Sequence, residues 1–205
     1  MITLYHVPGS RSMRSLWLLH ELAGRVRLEF VVRELAFDMK TLRSPDYLAV
    51  HPLGRVPCLV DDGRVLFESG AICQVLCERY DDGTFARAPG HPERAMWLQW
   101  VHFAETMAVH GASLVQQSVF VAPGDRSPVV QKLESRRLEK TLGVVDAVLA
   151  RNGFLLESGF SAADVMVGYS VHLARRFVPI HPFANVSRWY AGFDARPAFR
   201  AAREA

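Results

Sequence analysis

The chain has 205 residues, of which 50% are hydrophobic and 22% are charged, and its formal net charge at pH 7 is +3. This composition is typical of a soluble globular protein, and the length suffices for two small domains. The net charge is too small to indicate a partner such as nucleic acid or an anionic membrane. No run of about 18 apolar residues predicts a membrane span, and no signal peptide is recognisable, so we expect a cytoplasmic protein.

The three cysteines are Cys58, Cys73 and Cys77, and no two of them form a CxxC motif. Cys73 and Cys77 lie four residues apart on a predicted helix and therefore share one face. Two thiols without a nearby pair of histidines make a poor zinc site. We therefore predict buried, reduced core cysteines and no metal site.

The first eighty residues alternate between strand and helix patterns. The opening MITLYHV predicts a strand, and the apolar spacing after Ser12 predicts a helix that continues to Glu21. A second strand is predicted over 28–35. The Ser-Pro-Asp sequence at 44–46 then provides a cap, a first-turn proline and an acidic residue, which predicts the start of a short helix.

A hairpin and a further helix complete the predicted N-terminal domain. Strands are predicted over 56–60 and 64–67, and the Asp-Gly pair at 62–63 is a strong hairpin turn signal. A helix is predicted from 69 to about 80. The resulting order βαβαββα is the thioredoxin-like arrangement, and we assign this α/β domain to residues 1–81.

Composition changes after residue 81. Residues 82–92 are rich in Gly, Pro and Asp and lack periodicity, which predicts an interdomain linker. Strand patterns are absent beyond it, so we predict an all-helical C-terminal domain over 93–205. Apolar residues recur there at three-to-four spacing in four segments, 93–118, 128–151, 161–177 and 185–193.

The sequence FSAADV at 160–165 is the clearest local helix start in the second domain. Ser161 is placed as the N-cap, and Asp164 occupies the third helical position, an acidic variant of the capping box. Phe160 and Val165 occupy the two positions of a hydrophobic staple. The motif is structural, and such a cap contributes on the order of 1 kcal/mol.

Two long motifs carry a resemblance to a known family. The segments LYHVPGSRSMRSLWLLHE and GRVPCLVDDGRVLFESGAI resemble the glutathione-binding domain of the cytosolic glutathione transferases. FSAADV is similar to the capping box of the family's helical domain, and the likeness extends to the final RPAFRAA. Among bacterial-type members, the serine-containing loop is similar to the theta- and delta-like classes. Beta-class members carry a cysteine where this chain has Arg11.

The resemblance implies the activity, the co-substrate and the assembly. Members conjugate the thiolate of reduced glutathione to small hydrophobic electrophiles and pair as twofold homodimers. Glutathione is then a co-substrate, and no prosthetic group is required. The free thiol has a pKa near ~8.5, and one charge-assisted hydrogen bond of roughly 1.5–3 kcal/mol can lower it by one to two units. One hydroxyl at the start of a helix is therefore sufficient.

The resemblance places Ser10 on the catalytic serine of the theta- and delta-like enzymes. Ser12 then falls at the helix cap, which we interpret as a structural position. A different alignment would place Tyr5 on the catalytic tyrosine of the alpha, mu and pi classes. Arg11 could assist the thiolate electrostatically or face solvent. Ser10 is thus the predicted catalytic residue, with Tyr5, Ser12 and Arg11 as alternatives.

The second motif implies the glutathione-binding residues. A cis Val56-Pro57 bond, as in the family, would leave the Val56 backbone free to pair with the cysteinyl residue of glutathione. Arg55 matches a position that reaches the glycine carboxylate, although an arginine there could equally face solvent. Ser69, interpreted as the helix cap, would bind the γ-glutamyl carboxylate, and Glu68 the γ-glutamyl ammonium group.

Other functions remain open at this point. A glutathione-dependent peroxidase, dehalogenase or isomerase would use the same scaffold with a different electrophile pocket. A catalytically silent glutathione-binding module in a stress response is also compatible, because a fold does not dictate function. A thiol-disulfide reductase is disfavoured, because the opening loop contains no cysteine.

Overall fold

The computed structural model describes every residue from Met1 to Ala205. The chain divides into two compact units, which we call the first unit and the second unit. The first unit comprises Met1–Ala88 and Asp194–Ala205, and the second comprises Pro89–Phe193. The sequence predicts a single helical domain over 93–205, whereas in the structure residues 194–205 belong to the first unit.

The first unit is built on a four-stranded sheet with strand order β2-β1-β3-β4. β1 pairs with β2 in parallel, and the other pairs are antiparallel. This mixed sheet confirms the predicted thioredoxin-like domain. The elements are β1 (Ile2–His6), α1 (Met13–Ala23), β2 (Phe30–Glu34), α2 (Met39–Leu42), α3 (Pro45–Val50), β3 (Cys58–Asp61), β4 (Arg64–Phe67) and α4 (Ser69–Tyr80).

The second unit is all helical, as the sequence predicted. Its main helices are α5 (Arg94–Val115), α6 (Pro128–Asn152), α7 (Ala162–Ala174) and α8 (Ala184–Gly192). None of the helices in the structure combines the length and the apolar composition needed to cross a bilayer. The three cysteines are unpaired and buried in the first unit, which confirms the prediction of core thiols.

Two local signals in the sequence, the Asp-Gly turn and the Ser44 cap, produce the expected geometry. Asp62 and Gly63 have φ angles of +49° and +78°, so both central residues of the hairpin turn are left-handed. The Ser44 side chain accepts a hydrogen bond from the Tyr47 N–H at 3.3 Å and caps α3. The short helix α2 was not predicted. Its start is capped by the Asp38 side chain, which accepts from a backbone N–H.

A last helix, α9 (Pro197–Glu204), packs against α1 and completes the first unit. The rings of Trp17 and Phe199 meet edge to face at 4.8 Å between centroids. Arg196 donates two hydrogen bonds to the Glu21 carboxylate, at 2.6 and 2.8 Å. Only the final RPAFRAA motif pointed to this region in the sequence, and α9 was not among the predicted helices.

The predicted capping box forms at the start of α7, and Asp164 is fully buried there. One of its carboxylate oxygens accepts from the Leu155 N–H and from the Trp189 Nε1–H, both at 3.1 Å. The other accepts from the Ser161 N–H at 2.9 Å and from the Ser161 hydroxyl at 3.2 Å. Asp164 therefore links the start of α7 to two other parts of the second unit: the segment that precedes α7, through Leu155, and helix α8, through Trp189.

We expect Asp164→Asn to destabilise the protein, because the amide places an NH2 group against two donors. Losing two such hydrogen bonds in the interior should cost about 2–4 kcal/mol. Denaturant unfolding followed by circular dichroism measures this loss. Asp125→Asn, at an exposed position, is the matched control and should leave the transition midpoint unchanged. An unchanged midpoint in Asp164→Asn would contradict the structural role.

A hydrogen bond from His110 to Glu134 joins α5 to α6 within the second unit. His110 Nδ1–H donates to one Glu134 oxygen at 2.6 Å, and Arg137 donates to the other at 2.6 Å. Burial acts to raise the pKa of Glu134, but the hydrogen bonds and charges of His110 and Arg137 outweigh it and hold the pKa below its usual value. The pair thus stabilises the ionised form of Glu134 in the folded protein.

Glu134→Gln should lower the free energy of unfolding by about 1 kcal/mol at neutral pH. Because the folded-state pKa is lowered, the stabilisation is present above the ordinary value of 4.5 and is lost as the pH falls through the folded-state pKa. The difference in the free energy of unfolding between wild type and Glu134→Gln should therefore become smaller at acidic pH. Unfolding curves at several pH values test this, with the exposed α6 variant Glu139→Gln as control. A difference that does not change with pH would contradict it.

Candidate active site at one end of the sheet

The register of the sheet brings three separate chain segments to one end. Tyr5 pairs with Cys58, and Cys58 pairs with Phe67 on the next strand. β1 ends at that level, β3 begins there and β4 ends there. Neighbouring strands lie about 4.8 Å apart. The loop at 7–12, the Val56-Pro57 bond and the start of α4 therefore emerge side by side.

The loop between β1 and α1 contains a chain of three polar side chains. The Ser10 and Ser12 hydroxyl oxygens lie 2.7 Å apart, and the Ser12 oxygen lies 2.8 Å from His6 Nδ1. The Val7 N–H donates to the Ser12 oxygen at 3.2 Å. Ser12 and His6 are fully buried, whereas Ser10 is half-buried. Ser10 is thus the outer end of a chain that begins in the core.

The structure corrects the expectation that Ser12 caps α1. Ser12 has helical backbone angles, and its side chain makes no cap hydrogen bond. Its hydroxyl instead bonds to Ser10 and His6, because β1 and the loop place both groups within reach. The Ser12 N–H in turn donates to the Ser10 oxygen at 3.3 Å.

His6 lies on the buried face of β1 next to Ser12. Burial lowers the pKa of its imidazole, whereas the Ala205 backbone and the charge of Glu34 oppose that shift. The ring is therefore neutral at neutral pH before any ligand binds. In the sequence His6 is predicted only as a strand residue, and no local pattern indicates its hydrogen bond to Ser12.

The peptide bond between Val56 and Pro57 is cis, as the resemblance implied. Two contacts fix the chain that leads into it. The Tyr47 hydroxyl donates to the Arg55 carbonyl oxygen at 2.6 Å. Gly54 has a φ of +56°, and a Cβ there would lie 2.1 Å from the Leu42 carbonyl oxygen, so only glycine fits.

The backbone of Val56 is available at this end of the sheet. Neither its N–H nor its C=O takes part in a backbone hydrogen bond of the structure. Val56 is half-buried and Pro57 is buried, while the Arg55 side chain is exposed. The segment thus presents a polar backbone edge beside a solvent-exposed cation.

The structure also corrects the role of Ser69 as a helix cap. Glu68 occupies the cap position, with a φ of +74°, and Ser69 is the first residue of α4. The Ser69 oxygen accepts a hydrogen bond from Arg14 Nη1 at 2.9 Å, and both side chains are buried. A guanidinium group can only donate, so the Ser69 hydroxyl hydrogen is directed to another acceptor.

The start of α4 has the properties of an anion site. Its first backbone hydrogen bond runs from the Ile72 N–H to the Glu68 carbonyl, so the amides of Ser69, Gly70 and Ala71 lie outside the helical ladder. These amides and the helix dipole favour a negative group. The buried charge of Arg14 behind Ser69 adds to the positive potential.

Tyr5 lies apart from the chain of hydroxyls, whereas Arg11 belongs to the loop that carries it. Tyr5 lies on the face of the sheet opposite His6, where its ring contacts Tyr47 at 5.4 Å between centroids. Its hydroxyl is 3.5 Å from Arg33 Nη1, a long contact. Arg11 lies in the loop between the two serines and is half-buried.

Arg14 and Tyr47 also support the site, and sequence analysis did not identify them. Arg14 precedes Trp17 by one helical turn and therefore lies on the apolar face of α1, which is an unusual place for a charge. That anomaly was a usable signal. Tyr47 gave none, because its bond to Arg55 depends on the tertiary fold.

Comparisons with known proteins agree with this architecture. The family model described as the glutathione S-transferase N-terminal domain matches residues 1–77. Glutathione S-transferase 3 of Schizosaccharomyces pombe is 30% identical over 217 aligned positions, which cover 100% of this chain and 87% of that protein. The chain belongs to the glutathione S-transferase family.

Two further comparisons describe the breadth of that family. A glutathione transferase homolog from Lodderomyces elongisporus, solved with two glutathione molecules per subunit, superposes with a TM-score of 0.89. It is 21% identical, with coverage of 99% of this chain and 97% of that one, and thus supports the glutathione S-transferase fold. Elongation factor 1-gamma of Carassius auratus is 31% identical over 97% of this chain and 45% of its own length.

We expect Ser69→Ala to destabilise the first unit, because it removes an acceptor of the buried Arg14 guanidinium. A hydrogen bond to a charged group contributes about 1.5–3 kcal/mol. Ser15→Ala is the matched control, because Ser15 is also buried in the first unit but its hydroxyl has no hydrogen-bond partner. That control should be neutral or stabilising in denaturant unfolding. Equal stability of the two variants would contradict the assigned role of Ser69.

Proposed function

We propose that the protein is a glutathione transferase that conjugates the thiolate of reduced glutathione to small hydrophobic electrophiles. The observation that carries the proposal is the half-buried Ser10 hydroxyl at the same end of the sheet as the cis Val56-Pro57 bond and the start of α4. Glutathione has a carboxylate at each end and a thiol between them. These three segments offer complementary groups in that arrangement.

In this proposal the γ-glutamyl end binds at the start of α4. The Ser69 hydroxyl hydrogen is not used by Arg14, so it can donate to the carboxylate together with the first amides of the helix. Glu68 is exposed beside Ser69 and is the proposed partner of the γ-glutamyl ammonium group. Arg14 is then a positioning residue, because it acts through Ser69.

The rest of the tripeptide is assigned to the segment before β3. The Val56 N–H and C=O are free to pair with the cysteinyl backbone, as the next strand of a sheet would. The Arg55 side chain is exposed and is the proposed partner of the glycine carboxylate. This orientation directs the cysteinyl sulfur toward Ser10.

Ser10 is the proposed catalytic residue. A hydroxyl that donates to the sulfur stabilises the thiolate over the thiol by roughly 1.5–3 kcal/mol, which lowers the thiol pKa by one to two units. The thiolate then attacks the electrophilic carbon, a carbon–sulfur bond forms, and the leaving group departs with its electron pair. The chemistry requires no further nucleophile from the protein.

One alternative is a module that binds glutathione without catalysis. The match to elongation factor 1-gamma supports this alternative, because a related sequence occurs in a protein that is named for translation and not for glutathione transfer. A glutathione-dependent peroxidase, dehalogenase or isomerase is a second alternative on the same scaffold. All of these bind glutathione, so the identity of the product separates them from the transferase.

The assembly and the compartment are also proposals. We propose a twofold homodimer, by analogy with the family, and a cytoplasmic location. The buried, unpaired cysteines are compatible with a reducing compartment. Light scattering of the purified protein reports the oligomeric state directly.

The test of the proposed function measures binding and transfer separately. Calorimetry should detect binding of reduced glutathione, and 1-chloro-2,4-dinitrobenzene should yield the glutathione conjugate. Ser10→Ala should retain binding but lose about 10- to 100-fold in kcat/KM, because it removes a hydrogen bond to the thiolate. Tyr5→Phe is the control for the alternative hydroxyl and should retain activity.

Each outcome separates the alternatives. Absence of binding at millimolar glutathione would refute the proposed site. Binding without conjugate formation would favour the silent module or another glutathione-dependent reaction. Full activity in Ser10→Ala together with a loss in Tyr5→Phe would transfer the catalytic role to Tyr5.

A further inference from the structure

His6 is a buried titratable group linked to the proposed catalytic serine by a continuous chain of hydrogen bonds. The chain runs from Ser10 to the Ser12 hydroxyl at 2.7 Å and from there to His6 Nδ1 at 2.8 Å. Ser12 is fully buried, so it cannot touch a ligand itself. A chain of this kind can connect a ligand at Ser10 to a base in the core.

The hydrogen bonds of this chain can run in only two directions, either all inward from Ser10 to His6 or all outward from His6 to Ser10. The Ser12 hydroxyl has one hydrogen, which can point to Ser10 or to His6. The Val7 carbonyl, at 3.4 Å, is too distant to compete. If Ser12 donates to His6 Nδ1, the short contact requires Ser10 to donate to Ser12. If Ser12 donates to Ser10, His6 must carry a hydrogen on Nδ1.

The two orders suit different states of a sulfur beside Ser10. With the hydrogens directed inward, the Ser10 oxygen can accept from a thiol S–H. With the hydrogens directed outward, Ser10 donates, and a thiolate accepts that bond much more strongly than a neutral thiol, whose sulfur is a weak acceptor. The order of the chain and the ionisation of the thiol are therefore coupled.

We propose that His6 Nδ1 receives, through Ser10 and Ser12, the proton that the glutathione thiol loses. The S–H proton passes to Ser10, the Ser10 hydrogen passes to Ser12, and the Ser12 hydrogen passes to His6. The products are a thiolate and an imidazolium ion, so atoms and charge balance. Every hydrogen bond then points outward, with the Ser10 hydroxyl aimed at the sulfur.

The surroundings of His6 act on its charge in two directions. Burial lowers the pKa of the imidazole, so the ring is neutral before glutathione binds, and the same burial acts against the imidazolium ion that the transfer forms. The charge of Glu34 on β2 and the Ala205 backbone act in the opposite direction and favour the charged form. The inference rests on the proposed function. His6 and Ser12 are positioning residues in it, since both act through Ser10.

The experiment titrates the thiol of bound glutathione through the ultraviolet absorbance of its thiolate. His6→Asn places an amide near the position of Nδ1, which retains a hydrogen bond to Ser12 but cannot take up a proton. Ser12→Ala interrupts the chain and leaves His6 in place. Each variant should lower the ionisation constant of the bound thiol about tenfold.

Proton release gives a second readout that a purely structural role would not change. Wild-type protein should release fewer protons to an indicator than the number of thiolates it forms, because His6 retains part of them. His6→Asn should release one proton per thiolate. One proton per thiolate in the wild type would overturn the proposal.

The controls separate this inference from misfolding and from the proposed function. His20→Asn removes another half-buried histidine of the first unit, outside the chain, and should match wild type. All variants should bind S-methylglutathione as wild type does, because it has no thiol proton. If one variant no longer binds S-methylglutathione, that variant is set aside as misfolded. The other variant and the proton release of the wild type then decide the proposal. An unchanged thiol ionisation constant in both His6→Asn and Ser12→Ala overturns the inference, whereas failure of wild type to bind glutathione refutes the proposed function.

Discussion

The register of three strands is the constraint on which the candidate site depends. Tyr5, Cys58 and Phe67 lie side by side, so the segments adjoining them meet at one end of the sheet. A slip of one residue would exchange the two faces of β1, bringing Tyr5 into the core and moving His6 away from Ser12. The apolar face of β1, with Ile2 and Leu4 buried beside His6, makes that slip costly.

Much of the fold was predictable, because its signals are local. The Asp62-Gly63 turn and the capping box at Ser161 are short patterns whose geometry depends on a few consecutive residues, and both formed as predicted. The cis Val56-Pro57 bond was different, since only the family resemblance implied it. Local patterns therefore predicted most of the elements and their thioredoxin-like order, and the resemblance added the isomer of this peptide bond.

The details of the site could not be predicted, because they depend on contacts between distant residues. Ser12 and Ser69 are both residues that commonly cap helices, and each lies at a predicted helix start. In the folded chain, however, the Ser12 hydroxyl bonds to Ser10 and His6, and the Ser69 hydroxyl accepts from Arg14. Arg14 reaches Ser69 across 55 positions of the sequence. In both cases a buried polar group required satisfaction, and that requirement outweighed the local preference for a cap.

The ion pair between Glu21 and Arg196 joins residues that are 175 positions apart, and α9 packs on α1 beside it. The first unit is consequently discontinuous, since the entire second unit is inserted between its two parts. During synthesis from the N terminus, the thioredoxin-like portion must remain without this helix until the ribosome has made the second unit and then α9. The apolar surface of Trp17 therefore stays uncovered by Phe199 while the second unit is being made, at a stage when a nascent chain is prone to aggregation.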